Sequence, residues 1–369
     1  MLISVVGGGQ LGRMLGLAGL PLGLRFRFLD PSREAPAASV GELVVGAYDD
    51  ASALRRLADG ADAVTFEFEN VSAGALESLS GLAPVWPPPG ALQVAQDRIA
   101  EKDLFRSLGV EVRAYHAVTT KDELDAAAAA LGYPLVLKTR RFGYDGKGQA
   151  VVRDAAALEQ AWSEIGGAPG GCIAEEFVAF SREVSVIAVR GPRGEFDAYP
   201  LVENEHREGI LRRTIAPAPG VSPAMTRRAR EAAKRVMEHT GYVGVLAIEF
   251  FVVGVGAEST LVANEMAPRV HNSGHWSIEG AHCSQFENHC RAVAGLPLGP
   301  CELAGESAML NLIGTPYETA RSAMARGGVR VHWYGKEPRA GRKVGHLTLV
   351  GPDSHAGSVV LARELGLMS

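Results

Sequence analysis

Short apolar runs alternate with longer segments of helical spacing, and that alternation sets the layout of the chain. Leu2–Val6 (LISVV) meets Gly7-Gly8-Gly9, so a buried strand entering a tight turn is predicted. A helix from Leu11 to about Leu20 follows, stopped by Pro21 and Gly23. Arg25–Leu29 and Ala63–Phe66 predict two more strands. Strands alternating with helices imply a parallel sheet. Pro84 to Gly90 (PVWPPPG) breaks the pattern and marks a first domain boundary.

Beyond it, Asp97–Leu108 and Asp122–Leu131 predict helices, the second through its run of five alanines. Leu135–Lys138 and Ala150–Arg153 predict strands around a glycine-rich loop. Cys172–Val178 and Val184–Val189 predict further strands. Thr226–Thr240 has helical spacing, with Gly241 at the expected stop. Val243–Val253 and Thr260–Ala263 predict strands joined by a glycine-containing turn. A smaller third unit is expected after Gly295-Leu296-Pro297, with a strand at Ser307–Ile313.

Composition narrows the class. The 369 residues exceed one ordinary core and suit two or three domains. A hydrophobic share of 47% and a charged share of 21% fit a globular protein. The net charge of −5 offers no basic surplus, so no nucleic-acid partner is expected. No apolar stretch approaches the roughly 18 residues of a membrane helix, so no membrane partner is expected either. The N-terminal run lacks a basic flank, and a cytoplasmic location is expected. Four cysteines without a CxxC pair argue against zinc and for free thiols in a reducing compartment.

Candidate chemistry begins with Gly7-Gly8-Gly9-Gln10-Leu11-Gly12, which fits G-x-G-x-x-G, with Asp30 lying 18 residues past Gly12. That pattern suggests a dinucleotide site. The same turn can hold any anion through free backbone N–H groups, and several α/β folds build it with no ligand. A second loop, Gly143 to Gln149 (GYDGKGQ), follows Lys138 by five residues. Its amides, with Lys138 and Lys147, could close over a triphosphate; an ordinary hairpin tip is the alternative. Glu249 in AIEFF and Glu265 after LVAN are acids embedded in apolar strands, where an unpaired charge is costly. Two such carboxylates suit magnesium. An even residue-number sum across the turn puts 249 and 265 on one sheet face, and a one-residue slip breaks it. Two unrelated salt-bridged acids are the alternative.

The densest polar stretch runs from Asn264 to His275 (NEMAPRVHNSGH). Its Arg269 could hold a phosphate bidentately. A metal pair of His271 and His275 is disfavoured, because Ser273 and Gly274 argue against a helix there. Lys336, Arg339, Arg342, Lys343 and His346 form a second basic cluster, with a solvated surface run as the alternative.

These motifs occur together in the order of one family. GGGQLGRML at 7–15, TFEFENV at 65–71, DRIAEKDLF at 97–105, GYDGKGQ at 143–149, NEMAPRVHNSGHW at 264–276 and GRKVGHLT at 341–348 span nearly the whole chain. The chain resembles the N5-carboxyaminoimidazole ribonucleotide synthetases of the ATP-grasp superfamily. The resemblance implies an α/β chain, α+β overall, with an ATP-grasp fold. Its parts would be a Rossmann-like pre-ATP-grasp domain at 1–88, an ATP-grasp domain at 89–297 with a lid at about 110–178, and a small C-terminal domain at 298–369.

The same resemblance implies site residues. Arg98 and Lys138 would contact ATP phosphates, and Gly143, Tyr144, Asp145, Gly146, Lys147, Gly148 and Gln149 would form the lid loop. Glu175, Glu176, Phe177 and Val178 would line adenine, Glu183 would bind the ribose, and His206 would be a further ATP-site residue. Glu249 and Glu265 would carry Mg²⁺, with Mn²⁺ as an alternative and Asn264 beside them. Arg269, His271, Asn272 and Ser273 would contact aminoimidazole ribonucleotide. Lys336, Arg342 and Lys343 would hold its phosphate, with Gln10 and Leu11 on the substrate side of the first loop. Tyr144, Asp145 and Lys147, with Arg269, would form the carboxylation machinery. Aminoimidazole ribonucleotide and bicarbonate are the implied substrates, and a homodimer the implied assembly. Arg140-Arg141-Phe142 departs from the smaller residues expected before the lid loop. A related ribonucleotide transformylase or biotin carboxylase, a nicotinamide dehydrogenase, and a non-catalytic ATP-binding regulator are the competing readings.

Overall fold

The computed structural model describes the chain except for residues 142, 144–146, 255, 257–258 and 368–369. Its first sheet holds β1 (Leu2–Val6), β2 (Arg25–Asp30), β3 (Glu42–Val45) and β4 (Ala63–Phe66), all parallel in the order β3-β2-β1-β4. Every residue of β1 is buried, as a central parallel strand covered on both faces requires. The helix Gln10–Gly19 starts one residue before the expected Leu11 and packs Leu11, Met14 and Leu15 inward.

The expectation of a parallel sheet holds only here. A second sheet, of β5 (Tyr115–Val118), β6 (Leu135–Thr139), β7 (Gln149–Val152) and β8 (Cys172–Glu176), is antiparallel in the order β5-β8-β6-β7. Helices Lys121–Leu131 and Ala155–Ile165 bury Leu124, Ala127, Leu158 and Ala161 against it. The first of these starts with a capping box between Thr120 and Glu123.

The third sheet is the largest. It comprises β9 (Arg182–Arg190), β10 (Phe196–Ala198), β11 (Val202–Arg207), β12 (Ile210–Ala216), β13 (Gly244–Val253), β14 (Thr260–Ala267), β15 (Ser307–Ile313), β16 (Val329–Trp333) and β17 (Lys343–Val350). Its order is β14-β13-β9-β11-β12-β15-β17-β16, with β10 beside β9. The C-terminal strands therefore extend the central sheet through the antiparallel β12–β15 pair. That pairing satisfies a backbone edge that would otherwise lie open.

β14 runs four residues past the expected Ala263 and carries Asn264 and Glu265 into the ladder. Glu249 pairs with Glu265 and Phe250 with Ala263, so Asn264 is the extra residue of a β-bulge. At 271–275, where Ser273 and Gly274 disfavour an α-helix, Asn272–Gly274 forms a short 3₁₀ turn capped by His271. The first unit is tied to the central sheet by His289, whose Nε2 lies 2.9 Å from Thr65 Oγ1 while its Nδ1 accepts from Val245 N at 3.1 Å.

Candidate active site

Facing residues of the second and third sheets wall a cavity of about 580 Å³. Asp97 caps the helix Arg98–Ser107 through Ile99 N and Ala100 N, and this helix brings Arg98 and Glu101 to the cavity lining. Arg98 Nη1 donates to Glu265 Oε2 at 3.0 Å. Lys138 Nζ donates to Glu175 Oε2 at 3.2 Å, and Lys102 Nζ lies 3.5 Å from the same oxygen. Lys102 also donates to the carbonyls of Ala263 (3.2 Å) and Asn264 (2.8 Å), at the bulge. Neither Lys102 nor Glu101 stood among the expected site residues, although both lie in the DRIAEKDLF motif. Glu101 Oε1 accepts from Met266 N at 2.6 Å and so fixes the far end of the bulge. Arg140 and Arg141, the departure noted before the lid loop, reach back to this helix: Arg140 Nε donates to Asp97 at 2.8 Å, and Arg141 Nη2 to Gln96 Oε1 at 3.3 Å.

These charges control one another. Burial would raise the Glu175 carboxyl, but Lys138, Lys102 and Arg98 outweigh it and hold it at about 2. Burial lowers Lys138 below its ordinary value, against the pull of Glu175. Glu101 is lifted by burial to about 8 despite Lys102. Burial and the facing charge of Glu265 raise Glu249.

Opposite this basic floor lie the acids. One ligand atom each from Glu183, His206 and Glu249 falls within 4.8 Å of the others. His206 Nδ1 is 3.2 Å from Glu183 Oε1, and that contact together with Glu249 overcomes burial and raises the imidazole. Glu249 and Glu265, paired across the ladder, are both carboxylates on the cavity wall, and Asn264 Oδ1 is buried there without a hydrogen-bond partner. Three oxygen donors, one of them orphaned, form a set that fits a hard divalent cation.

At the other end, Arg269 forks onto Glu69, with Nε–Oε2 at 2.5 Å and Nη2–Oε1 at 2.9 Å. His271 Nε2 lies 3.4 Å from Glu249 Oε1, and burial holds the ring neutral. Both amide atoms of Asn272 are buried and unpartnered on the cavity wall. Such unpartnered polar atoms leave hydrogen-bonding capacity open on the cavity wall. Glu69, in the TFEFENV motif, was missed because an acid after a strand end carries no pattern of its own.

Other expected residues sit elsewhere. Ser273 is fully buried behind His271, so its hydroxyl does not face the cavity. Leu11 is a core side chain. Gln10 accepts from Lys336 Nζ, beside a cleft of about 110 Å³ that Gln10 lines with Arg13 and Tyr334. Lys343 lines the main cavity, whereas Lys336 and Arg342 do not. Glu176, Phe177, Val178, Gly143, Lys147 and Gln149 line it; Gly148 has φ 72 and turns the chain under Thr139. Tyr144, Asp145 and Gly146 lie outside the described residues.

The glycine loop decides against the dinucleotide reading. Glu67 accepts from Gly9 N and Gly12 N, each at 2.5 Å, and places its own carboxylate at the helix N-terminus. A Cβ at Gly9 would lie 2.6 Å from Glu67 Oε1, so the glycines serve this internal carboxylate. Asp30, the expected ribose acid of a dinucleotide site, accepts instead from Gly8 N (3.1 Å) and Tyr48 Oη (2.9 Å).

Comparisons with known proteins agree along the chain. Residues 1–96 match the ribonucleotide synthetase preATP-grasp domain, 103–286 the ATP-grasp domain, and 307–358 the phosphoribosylaminoimidazole carboxylase C-terminal domain. The chain is 53% identical over 349 residues to the N5-carboxyaminoimidazole ribonucleotide synthase of Pseudomonas aeruginosa, covering 95% of this chain and 94% of that one. It is 39% identical to the enzyme of that name from Bacillus subtilis over 94% and 91% of the two chains. Among solved structures, the N5-carboxyaminoimidazole ribonucleotide synthetase of Thermus thermophilus superposes with a TM-score of 0.91 at 52% identity, over 99% and 98% of the chains. The Aspergillus clavatus synthase in complex with ADP and 5-aminoimidazole ribonucleotide superposes with a TM-score of 0.90 at 31% identity, over 99% and 97%.

Proposed function

Because this chain belongs to the N5-carboxyaminoimidazole ribonucleotide synthase family of ATP-grasp ligases, we propose that its cavity joins an ATP site to a ribonucleotide site through the bulged strand β14. The activity is that of the family: ATP-dependent formation of N5-carboxyaminoimidazole ribonucleotide in purine biosynthesis. The carrying observation is one segment with two faces. Glu265 accepts from Arg98 and Asn264 Oδ1 is buried without a partner, while four to eight residues on, Arg269, His271 and the orphaned Asn272 line the same cavity.

Bicarbonate is a poor electrophile. Its oxygen attacks the terminal phosphorus of ATP, the bridging bond to ADP breaks, and carboxyphosphate results. Arg98 and Lys138 balance the phosphate charge, Glu175 to Val178 line the adenine, Glu183 holds the ribose, and His206 stands beside it. Mg²⁺, or Mn²⁺, would be held by Glu249 and Glu265 with Asn264, and when bound offsets the charge of phosphoryl transfer. The exocyclic amine of the ribonucleotide then attacks the activated carbon, phosphate leaves, and the amine gives up a proton. Arg269, His271 and Asn272 hold that ribonucleotide, with Lys343, Lys336 and Arg342 on its phosphate. Gly143 to Gln149 close over the site and exclude water from the labile intermediate, and Tyr144, Asp145 and Lys147 serve the carboxyl transfer.

The domains proposed are 1–88, 89–297 and 298–369, the last sharing the central sheet. A cytoplasmic homodimer completes the proposal. Four free, buried thiols suit a reducing compartment. Sedimentation at the mass of one chain would overturn the dimer. ADP release measured in a coupled assay should require both aminoimidazole ribonucleotide and bicarbonate. Equal release with formate and glycinamide ribonucleotide would sink the substrate assignment.

A further inference from the structure

Behind the cavity wall, side chains from three neighbouring strands and the 3₁₀ turn form one buried polar row. Thr214 Oγ1 donates to Asn204 Oδ1 at 3.0 Å, and Asn204 Nδ2 donates to Ser185 Oγ at 2.9 Å. Ser185 Oγ lies 2.7 Å from Ser273 Oγ, which lies 2.9 Å from His271 Nδ1. Thr214, Ser185 and Ser273 have no exposure and Asn204 has 4%. None of these four lines the cavity; His271, at the end of the row, does.

The direction of the row follows from one backbone group. Ser273 N donates to His271 Nδ1 at 3.3 Å, so Nδ1 is an acceptor and the ring proton sits on Nε2. The Ser273 hydroxyl must then donate to Nδ1 as well, and so must accept from Ser185. Ser185 has given its only proton to Ser273 and must accept from Asn204. That requires the amide of Asn204 to face Ser185 with its NH₂ and Thr214 with its oxygen, which is the orientation found. Every donor points the same way, from Thr214 to His271.

We propose that Ser185, Asn204 and Thr214 are positioning residues that act through Ser273 to hold His271 in its Nε2–H tautomer, with Nδ1 turned to the row and Nε2–H turned to the cavity wall, where Glu249 Oε1 lies 3.4 Å away. Ser273, expected as a substrate contact, is on this reading the last link of the row. A buried row of this kind works as a unit, because any missing member frees the next hydroxyl to turn. The proposal rests on the reading of His271 as a ribonucleotide contact.

The experiment uses the full chain labelled with ¹⁵N-histidine, without substrate, His271 being assigned by comparison with His271→Asn. The native enzyme should show the unprotonated nitrogen at Nδ1 and the protonated one at Nε2. Asn204→Ala, which leaves Ser185 free to turn either way, should move both signals toward averaged values; Ser185→Ala is the second variant should the first fail to fold. In steady state each variant should raise KM for aminoimidazole ribonucleotide about tenfold, the scale of one lost buried hydrogen bond, with KM for ATP unchanged. Ser185→Thr, which keeps the hydroxyl, should restore both readouts. A native His271 protonated on Nδ1, or averaged variants that never appear, overturns the proposal. Altered ¹⁵N signals with an unchanged ribonucleotide KM support the row and instead overturn the ribonucleotide role of His271.

Discussion

Glu249 and Glu265 face each other directly across β13 and β14, and the ladder slips by one residue immediately beyond them, at Asn264. The slip leaves the facing acids paired and lets Lys102 take the carbonyl of Asn264. Two carboxylates this close repel, and a cation that joins them relieves that repulsion. Glu265→Ala should therefore lower ADP formation at least ~10²-fold, the scale of losing one charge-stabilising group in phosphoryl transfer. Far-ultraviolet circular dichroism should show an intact fold. Near-native turnover in that variant removes Glu265 from the metal site.

Arg269 is held in a two-pronged contact by Glu69, and only a planar guanidinium can make it. Arg269→Lys keeps the charge and loses the fork. The expected result is a KM for the ribonucleotide raised ~10- to 100-fold with KM for ATP little changed. Equal effects on both substrates would argue against a role confined to the ribonucleotide end.

Glu67 occupies the N-terminus of the helix Gln10–Gly19 through two backbone amides. Glu67→Ala strands both donors. Urea unfolding should report a loss of about 2–6 kcal/mol, since each of the two unsatisfied groups costs about 1–3 kcal/mol. NAD titration of the native protein should give no saturable signal. Micromolar NAD binding would restore the dinucleotide reading.

His289 predicts an acid-labile joint. Burial lowers its imidazole from the ordinary 6.5 to about 4. A depressed pKa means that the folded state resists the proton which the unfolded chain accepts. Its contribution is thus whole above about 6.5 and is lost as pH falls toward and through about 4, on the order of 3 kcal/mol in all. His289→Gln should flatten the fall in denaturation midpoint over that window by about one proton. An unchanged slope would place the acid sensitivity elsewhere.

Much of the framework was legible in the chain. β1, β4 and β15 lie at their expected limits, because each is a compact apolar run bounded by breakers. β11 was not foreseen: Val202–Arg207 reads VENEHR, and three charged residues in six hide a strand whose partners supply the burial. β14 was cut short for the same reason, since Asn264 and Glu265 look like a loop until the bulge and Lys102 are in place.

The same division holds for the site. Arg98, Lys138, Glu249, Glu265, Arg269, His271 and Asn272 were expected from the sequence motifs and the resemblance they carry, and all line one cavity. Lys102, Glu101 and Glu69 were not, because what ties each to this region is the partner it meets across the fold. The linear chain thus determined which strands and motifs exist, through local periodicity and residue chemistry that need no partner. Only the tertiary structure decided that Glu67 fills the glycine loop, that Ser273 turns away from the cavity and that the C-terminal strands join the central sheet. Those outcomes depend on contacts between residues 55 to 97 positions apart, and a long-range pairing leaves no periodicity in the segments it joins.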